Sequence, residues 1–235
     1  MLSSIFNPKL IGKILKGVVF TMKPADALRY LFAVDKELYS LEGRASVRYG
    51  DGIHSKHRHI KYHEFFIENL KEGQRVLDIG SGNGVMDKKI AESFGKMSLV
   101  GIELDKKKFE WAKENSAHMN LTFINADALT YDFAERFDVV IMSNVLEHIE
   151  KRVEFLKRIM ERCQPSYFLI RVPMFERDWR VPLQQELGLD YFLDPTHFIE
   201  YRRDELENEL REAGLEIEKL KTNWGEYWVK AICRK

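Results

Sequence analysis

Three acids, a glycine-rich turn and two histidines are the places where this chain can do chemistry. Asp78 sits inside the apolar run Val76-Leu77-Asp78-Ile79, Glu103 closes Gly101-Ile102-Glu103, and Asp127 follows the run 121–125. The first run enters Gly80-Ser81-Gly82-Asn83-Gly84, where a backbone stripped of side chains can press against a bound molecule. A carboxylate at a strand end can accept both hydroxyls of a ribose, and successive strand ends of an open parallel sheet line one crevice. Taken singly, each acid is equally well read as a turn or helix cap. In series, the three polar strand ends point to one shared ligand. The glycines fall as G-x-G-x-G, with Val85 where a dinucleotide fingerprint wants its third glycine, which counts against a nicotinamide-dependent oxidoreductase.

His148, in Leu146-Glu147-His148, and His197, in Asp194-Pro195-Thr196-His197, are the candidate catalytic bases, since neutral imidazole suits proton abstraction near neutral pH. Each has a plain alternative, as a residue tying one loop to its neighbour. His54, His57, His59 and His63 form a second group, but their spacing fits no standard zinc arrangement and includes no cysteine, so no metal centre is expected. His57 and Arg58 are read as a basic lip for an anionic or polyhydroxylated acceptor, against a solvated helix start. Arg177 could clamp a carboxylate or phosphate and Trp179 could stack on a sugar or ring, while internal ion pairs with Glu176 and Asp178 are the alternative for the arginine. Arg171 and Arg180 stay open between the same two readings.

The elements that would position these residues follow from apolar periodicity. From Gln74 onward, short apolar runs at 75–79, 98–103, 121–125, 137–142 and 167–172 alternate with charged helical segments at 85–94, 106–117, 149–162 and 203–213. That alternation is the pattern of a parallel sheet covered by helices on both faces, here completed by strands near 215–222 and 227–233. Asp105 and Asp204 stand where N-caps would, and Gly214 where a helix would stop. Helices over 25–41 and 60–70 suggest a helical cap over residues 1–70, preceding a ligand-binding domain at 71–235. The aromatic, proline-bearing insert 173–200 is expected to lie over the acceptor site.

The chain has 235 residues, enough for one elaborated domain, and 37 basic against 37 acidic residues. Zero net charge supplies no broad field for nucleic acid. Two distant cysteines fit a reducing compartment, so a cytoplasmic location is expected. Leu10, Ile11, Ile14, Leu15, Val18 and Val19 recur at helical spacing among Lys9, Lys13 and Lys16, too charged and short to span a bilayer. Residues 5–20 could lie on a membrane surface, pack on the main domain, or meet a partner chain. Nothing in the sequence sets an oligomeric state.

In order, Val76 to Gly84, Gly101 to Asp105, Ala126-Asp127-Ala128 and Phe137 through His148 resemble the successive motifs of class I methyltransferases that use S-adenosylmethionine. The resemblance covers residues 74–150, and 196–214 is similar to the stretch before the last two strands in that family's type 11 small-molecule branch. It implies an α/β, Rossmann-like, mostly parallel seven-stranded sheet. It also implies that Gly80, Gly82 and Gly84 admit the methionine end, with Asp78 positioning its amino group. Glu103 would then bind the ribose, Asp127 the adenine amino group, Leu104 and Ala128 would flank the ring, and Ser143-Asn144 would close over the methionine end. S-adenosylhomocysteine would be the product. In similar ubiquinone-biosynthesis enzymes an extra acid in the fourth-strand segment helps hold a metal, and Asn144 stands in its place here. The expected function is methyl transfer to an oxygen or nitrogen of a small molecule, with a sugar or lipid-linked glycan as one candidate. A nucleic-acid methyltransferase and a non-catalytic S-adenosylmethionine-binding protein are the alternatives.

Overall fold

The computed structural model describes residues 7–51 and 54–234; residues 5 and 6 and the side chain of His57 lie outside the described residues. Helices α1 (Pro8–Val19), α2 (Pro24–Tyr49), α3 (Ser55–Ile60) and α4 (Tyr62–Glu68) precede the sheet. Then come β1 (Arg75–Ile79), α5 (Val85–Ser93), β2 (Ser98–Glu103), α6 (Lys106–Asn115), β3 (Leu121–Asn125) and β4 (Val139–Ser143). They are followed by α7 (Arg152–Cys163), β5 (Tyr167–Pro173), α8 (Arg180–Glu186), α9 (Arg203–Ala213), β6 (Leu215–Asn223) and β7 (Glu226–Cys233). All seven expected strands form, each within two residues of its sequence-based bounds.

The strands make one sheet in the order β3-β2-β1-β4-β5-β7-β6. The pairs among β1 to β5 are parallel, whereas β7 runs antiparallel between β5 and β6. Strand order reverses between β1 and β4, and the crevice at such a reversal, beyond the carboxyl ends of the strands, is where open α/β sheets take ligands. β4 and β5 are apolar and buried almost throughout because helices cover both their faces. Leu77 and Ile79 of β1 join the core on the side of α7 and α9, whereas Val76 joins the side of α4 and α5. Alternation along the strand therefore turns Asp78 toward α4 and α5.

The chain divides into two compact units: one runs up to His59 and includes Trp179–Tyr191, the other comprises Ile60–Asp178 and Phe192 onward. The sequence placed the first boundary at residue 70. It falls earlier because α4 belongs to the sheet unit, where Phe65 and Phe66 pack in the cluster with Val76, Ile90 and Trp228. In the smaller unit, α2 is tied to α8 and its flank by Arg180–Asp35 at 2.9 Å, Lys36–Asp190 at 3.1 Å and an Arg29 hydrogen bond to the Leu187 carbonyl. The helix α8 was not read from the sequence, where Pro182 argued for loop; proline is tolerated in the first turn of a helix, where its missing N–H has no partner to lose.

Asp105 caps α6 as expected, its Oδ1 accepting from the N–H groups of Lys107 and Lys108. The cap of α9 is a correction: Arg202 is the N-cap residue, Glu205 reaches back to accept from its N–H at 2.9 Å, and Asp204 sits inside the first turn. Gly214 ends that helix at φ 93°, in the left-handed region that glycine enters freely.

Phe66 is fully buried and Tyr39 is exposed. Phe66→Ala should cost about 3–5 kcal/mol in urea unfolding and Tyr39→Ala under about 0.5 kcal/mol. Equal effects would contradict the placement of α4 in the sheet core.

Candidate active site

The turn after β1 is held by the end of β2. The N–H groups of Gly80 and Ser81 both donate to the Ile102 carbonyl, at 2.8 and 3.0 Å, and Gly82 N–H donates to Glu103 Oε2 at 2.7 Å. The other Glu103 oxygen accepts from Asp105 N–H at 2.7 Å. Glu103 thus locks two loops together, a role its sequence position alone did not disclose. Gly80 and Gly84 have no room for a side chain: a Cβ on Gly80 would lie 2.4 Å from Val145, and one on Gly84 2.3 Å from Phe123. Gly82 differs, since a Cβ there would meet nothing within 4 Å. The turn is packed on one side and open on the other.

Beside it lies a cavity of about 160 Å³. Of the residues singled out in the sequence, Gly80, Glu103, Leu104, Asp127, Ala128 and His148 line it; Leu129, Val145, Ile149 and Phe155 add apolar walls that the motifs had not flagged. Asp127 Oδ1 accepts from Leu129 N–H at 2.8 Å and so also shapes its own loop. Gly82, Gly84, Asp78, Ser143 and Asn144 are not part of the lining. Asn144 adopts φ 56° and accepts a hydrogen bond from Arg171 Nε at 3.3 Å.

Behind β1, polar groups are buried without donors. Asp78 and Asp87 lie against each other, fully buried, and none of their four carboxylate oxygens has a hydrogen-bond partner among the described residues. Burial pushes both acids up, Asp87 to about 7, and the charge of Asp87 raises Asp78 further. Asp87 escaped notice in the sequence, although its spacing to Ile90 and Ala91 places it on the buried face of α5. Arg171, buried at the end of β5, pairs with Glu226 at 3.1 Å and stacks 4.0 Å over the Tyr62 ring. Glu147 is fully buried, with both oxygens unpartnered among the described residues, and burial raises it to about 8.

His148 and His197 do come together, their rings 4.5 Å apart edge to face. The Thr196 hydroxyl donates to Asp194 Oδ1 at 2.6 Å, so its oxygen must accept from His148 Nδ1 at 2.8 Å. This chain fixes the tautomer: the proton sits on Nδ1, leaving the Nε2 lone pair available. Burial lowers His148, and it lowers His197 to about 4 with help from the charge of His148, so both rings are neutral at pH 7. Glu147, His148 and His197 also bring ligand-type atoms within 4.8 Å of one another.

The expected acceptor residues separate. Arg177 forms an ion pair with Glu200 and donates to the Met174 carbonyl, with little exposed surface. Its guanidinium serves the internal alternative, with Glu200 as an ion-pair partner that the sequence did not flag. Arg58 and Trp179 belong to the smaller unit, where Arg58 is exposed and bonds Ser55, and Trp179 is 71% exposed.

A strand-end cavity beside a glycine turn, with acids at the ends of adjacent strands, is the arrangement in which open α/β sheets take nucleotide-type ligands. A methyltransferase-domain family matches residues 53–220, and the chain belongs to it. Ribosomal protein L11 methyltransferase of Dictyoglomus thermophilum is 36% identical over 100 residues, 42% of this chain and 33% of that protein. The ubiquinone biosynthesis O-methyltransferase of Nitrosospira multiformis is 27% identical over 158 residues, 63% of this chain and 65% of that protein. The chain therefore spans between one third and about two thirds of these curated relatives. Magnesium protoporphyrin IX methyltransferase from Synechocystis PCC 6803, solved with bound SAH, shares the fold at a TM-score of 0.59 and 16% identity, covering 75% of this chain and 84% of that one. The residues present fit the cofactor: an open face at Gly82, a carboxylate at the end of β2, an apolar slot, and buried acids without cations of their own.

The raised acids make stability depend on pH. Native Asp87 and Glu147 keep protons that the unfolded chain loses above about pH 4–5, so their contribution falls as pH rises through about 7 and 8. The lowered histidines act oppositely, but only below about pH 6.5. The melting temperature should therefore drop between about pH 6.5 and 8.5, and Glu147→Gln should flatten that drop. A slope unchanged by Glu147→Gln would remove Glu147 from the explanation.

Proposed function

We propose that this enzyme methylates an oxygen or nitrogen of a small-molecule acceptor, with His148 taking the acceptor's proton. The observation that carries the reading is the Asp194–Thr196–His148 chain, which holds the proton on Nδ1 of a histidine that lines the cavity and so leaves Nε2 unprotonated. S-adenosylmethionine supplies an activated methyl group and a good leaving group, so the protein's tasks are alignment, exclusion of water and proton removal.

Each assignment uses capacity left over after the internal hydrogen bonds. Glu103 spends one lone pair per oxygen on backbone N–H groups, leaving two for the ribose hydroxyls. Asp127 Oδ2 is left for the adenine amino group, and Leu104 and Ala128 supply apolar contact to the ring. Asp78, which burial holds toward its neutral form, would be drawn to ionise by the methionine ammonium and so accept from it. The Ser143-Asn144 turn, held by Arg171, closes that end. His197 keeps His148 in place by ring packing.

A small acceptor is favoured over nucleic acid by the absence of net positive charge and by the Ser143-Asn144-Val145-Leu146 turn, which lacks the Asn/Asp-Pro-Pro-aromatic pattern of base amino methylation. The relatives named for a ribosomal protein and for ubiquinone biosynthesis show how widely acceptors vary around this core. Within the small-molecule class we favour a polyhydroxylated acceptor such as a sugar or lipid-linked glycan; the smaller unit, taken by itself, exposes the Trp179 ring and the Arg58 guanidinium, chemistry suited to such a molecule.

Calorimetry should show saturable S-adenosylhomocysteine binding, with Glu103→Ala and Gly82→Val each weakening it about tenfold or more. No binding, or binding unaffected by both changes, would end the cofactor assignment. His148→Ala should retain cofactor binding yet lower methyl transfer, followed by mass spectrometry over sugars, phenols, acids and RNA, by about 10²–10⁴-fold. Transfer to RNA alone would favour the nucleic-acid reading, and cofactor binding with no transfer to any acceptor would favour a sensor.

A further inference from the structure

The helix α1 is built for a boundary that the rest of the described chain does not supply. Asn7 caps it, with Oδ1 accepting from Lys9 N–H at 3.0 Å, and Pro8 occupies its first turn. It is therefore a well-started helix, yet none of its residues is buried. Leu10, Ile11, Ile14 and Val18 are all exposed, Ile14 at 59%, and Phe20 just beyond the helix is exposed as well. At about 100° per residue, those four fall within roughly 100° of one another, while Lys9, Lys13 and Lys16 fall within about 60° on the opposite side. Leu15 and Val19 are half-buried at one edge of the apolar face.

Charge selects the occupant. Between Asn7 and Ala25 there are four lysines and no acid, whereas α2, which also exposes apolar side chains, carries both signs. A second copy of α1 would set lysines against lysines. An acidic, apolar-cored planar surface complements both faces at once. We propose that α1 lies on an anionic lipid bilayer, its apolar face at the acyl boundary and its lysines among the head groups. Twelve residues are too few to cross, and no helix among the described residues is long and apolar enough to do so, so the contact is with one leaflet. Each lysine near an anionic surface contributes about fivefold in affinity, so the three on the polar face together supply about a hundredfold. The inference is independent of the methyl-transfer reading; a membrane position would place the enzyme beside acceptors that carry a lipid tail.

The test is sedimentation of the full chain with phosphatidylcholine vesicles, with or without phosphatidylglycerol. The wild-type chain should bind the mixed vesicles, release with salt, and bind pure phosphatidylcholine far more weakly. Ile14→Glu should weaken binding by about tenfold or more, and Lys9→Glu, Lys13→Glu and Lys16→Glu together should abolish preference for the anionic vesicles. All four positions are exposed, so the variants should keep the wild-type melting temperature and S-adenosylhomocysteine affinity. Failure to bind mixed vesicles, equal binding to both vesicle types, indifference to Ile14→Glu, or α1-dependent dimers without lipid would each overturn the proposal. Cofactor affinity measured on the same samples reports separately on the methyltransferase reading.

Discussion

The glycine turn after β1 hangs from the end of β2, and the cavity exists because of that suspension. Two of its N–H groups converge on the Ile102 carbonyl and a third on the Glu103 carboxylate. Their geometry requires positive φ at Gly80, Gly82 and Gly84, a region where any other residue would be strained. Close packing then fixes the sides: Val145, from the loop after β4, fills the space beside Gly80, and Phe123 of β3 fills the space beside Gly84. One face of the turn is therefore immobilised by three neighbouring strands or their loops. The other face, at Gly82, is open: a Cβ there would meet nothing within 4 Å.

The same carboxylate ties the turn after β1 to the loop after β2. Glu103 bonds backbone N–H groups on both flanks, so its charge is compensated within the protein. Asp78, Asp87 and Glu147 are the opposite case, buried acids without donors among the described residues. A buried carboxyl without a partner favours its neutral form, because transfer of a charge from water is costly. Arg171 is the nearby cation, but it is engaged by Glu226 and Asn144. The sheet unit thus holds one acid at its rim whose charge is met by main-chain N–H groups, and others, behind the turn and after β4, that burial drives toward the neutral form.

What could be read in the sequence was whatever repeats or stays local. Parallel strands covered on both faces are apolar runs, and the seven strands were legible for that reason. The glycine spacing was legible because positive φ restricts residue type. Partners distant along the chain were not. Arg177 meets Glu200, Glu103 meets Gly82, and Thr196 meets His148 across intervals of 23, 21 and 48 residues, and no local pattern announces such pairs. The short α8 escaped because Pro182 and a seven-residue length weaken any periodic signal. Asp87 was legible in principle, since its spacing placed an acid on an apolar helix face, a conflict that a functional or coupled group resolves.

The donor and acceptor sides of this site have different physical origins, and that difference decides how far each can be inferred. The donor side is made of strand ends and main-chain N–H groups, whose positions follow from sheet order and glycine geometry. The wall opposite is assembled from a loop after β4 and the segment 194–198, joined by the Phe198 N–H to the Glu147 carbonyl and by Thr196 to His148. Its alignment depends on a few side-chain bonds, any one of which can change without disturbing the sheet. A fixed donor platform with a replaceable loop wall can keep one cofactor while changing what it methylates. In this chain the wall carries an imidazole, that of His148, held by the Thr196 hydroxyl.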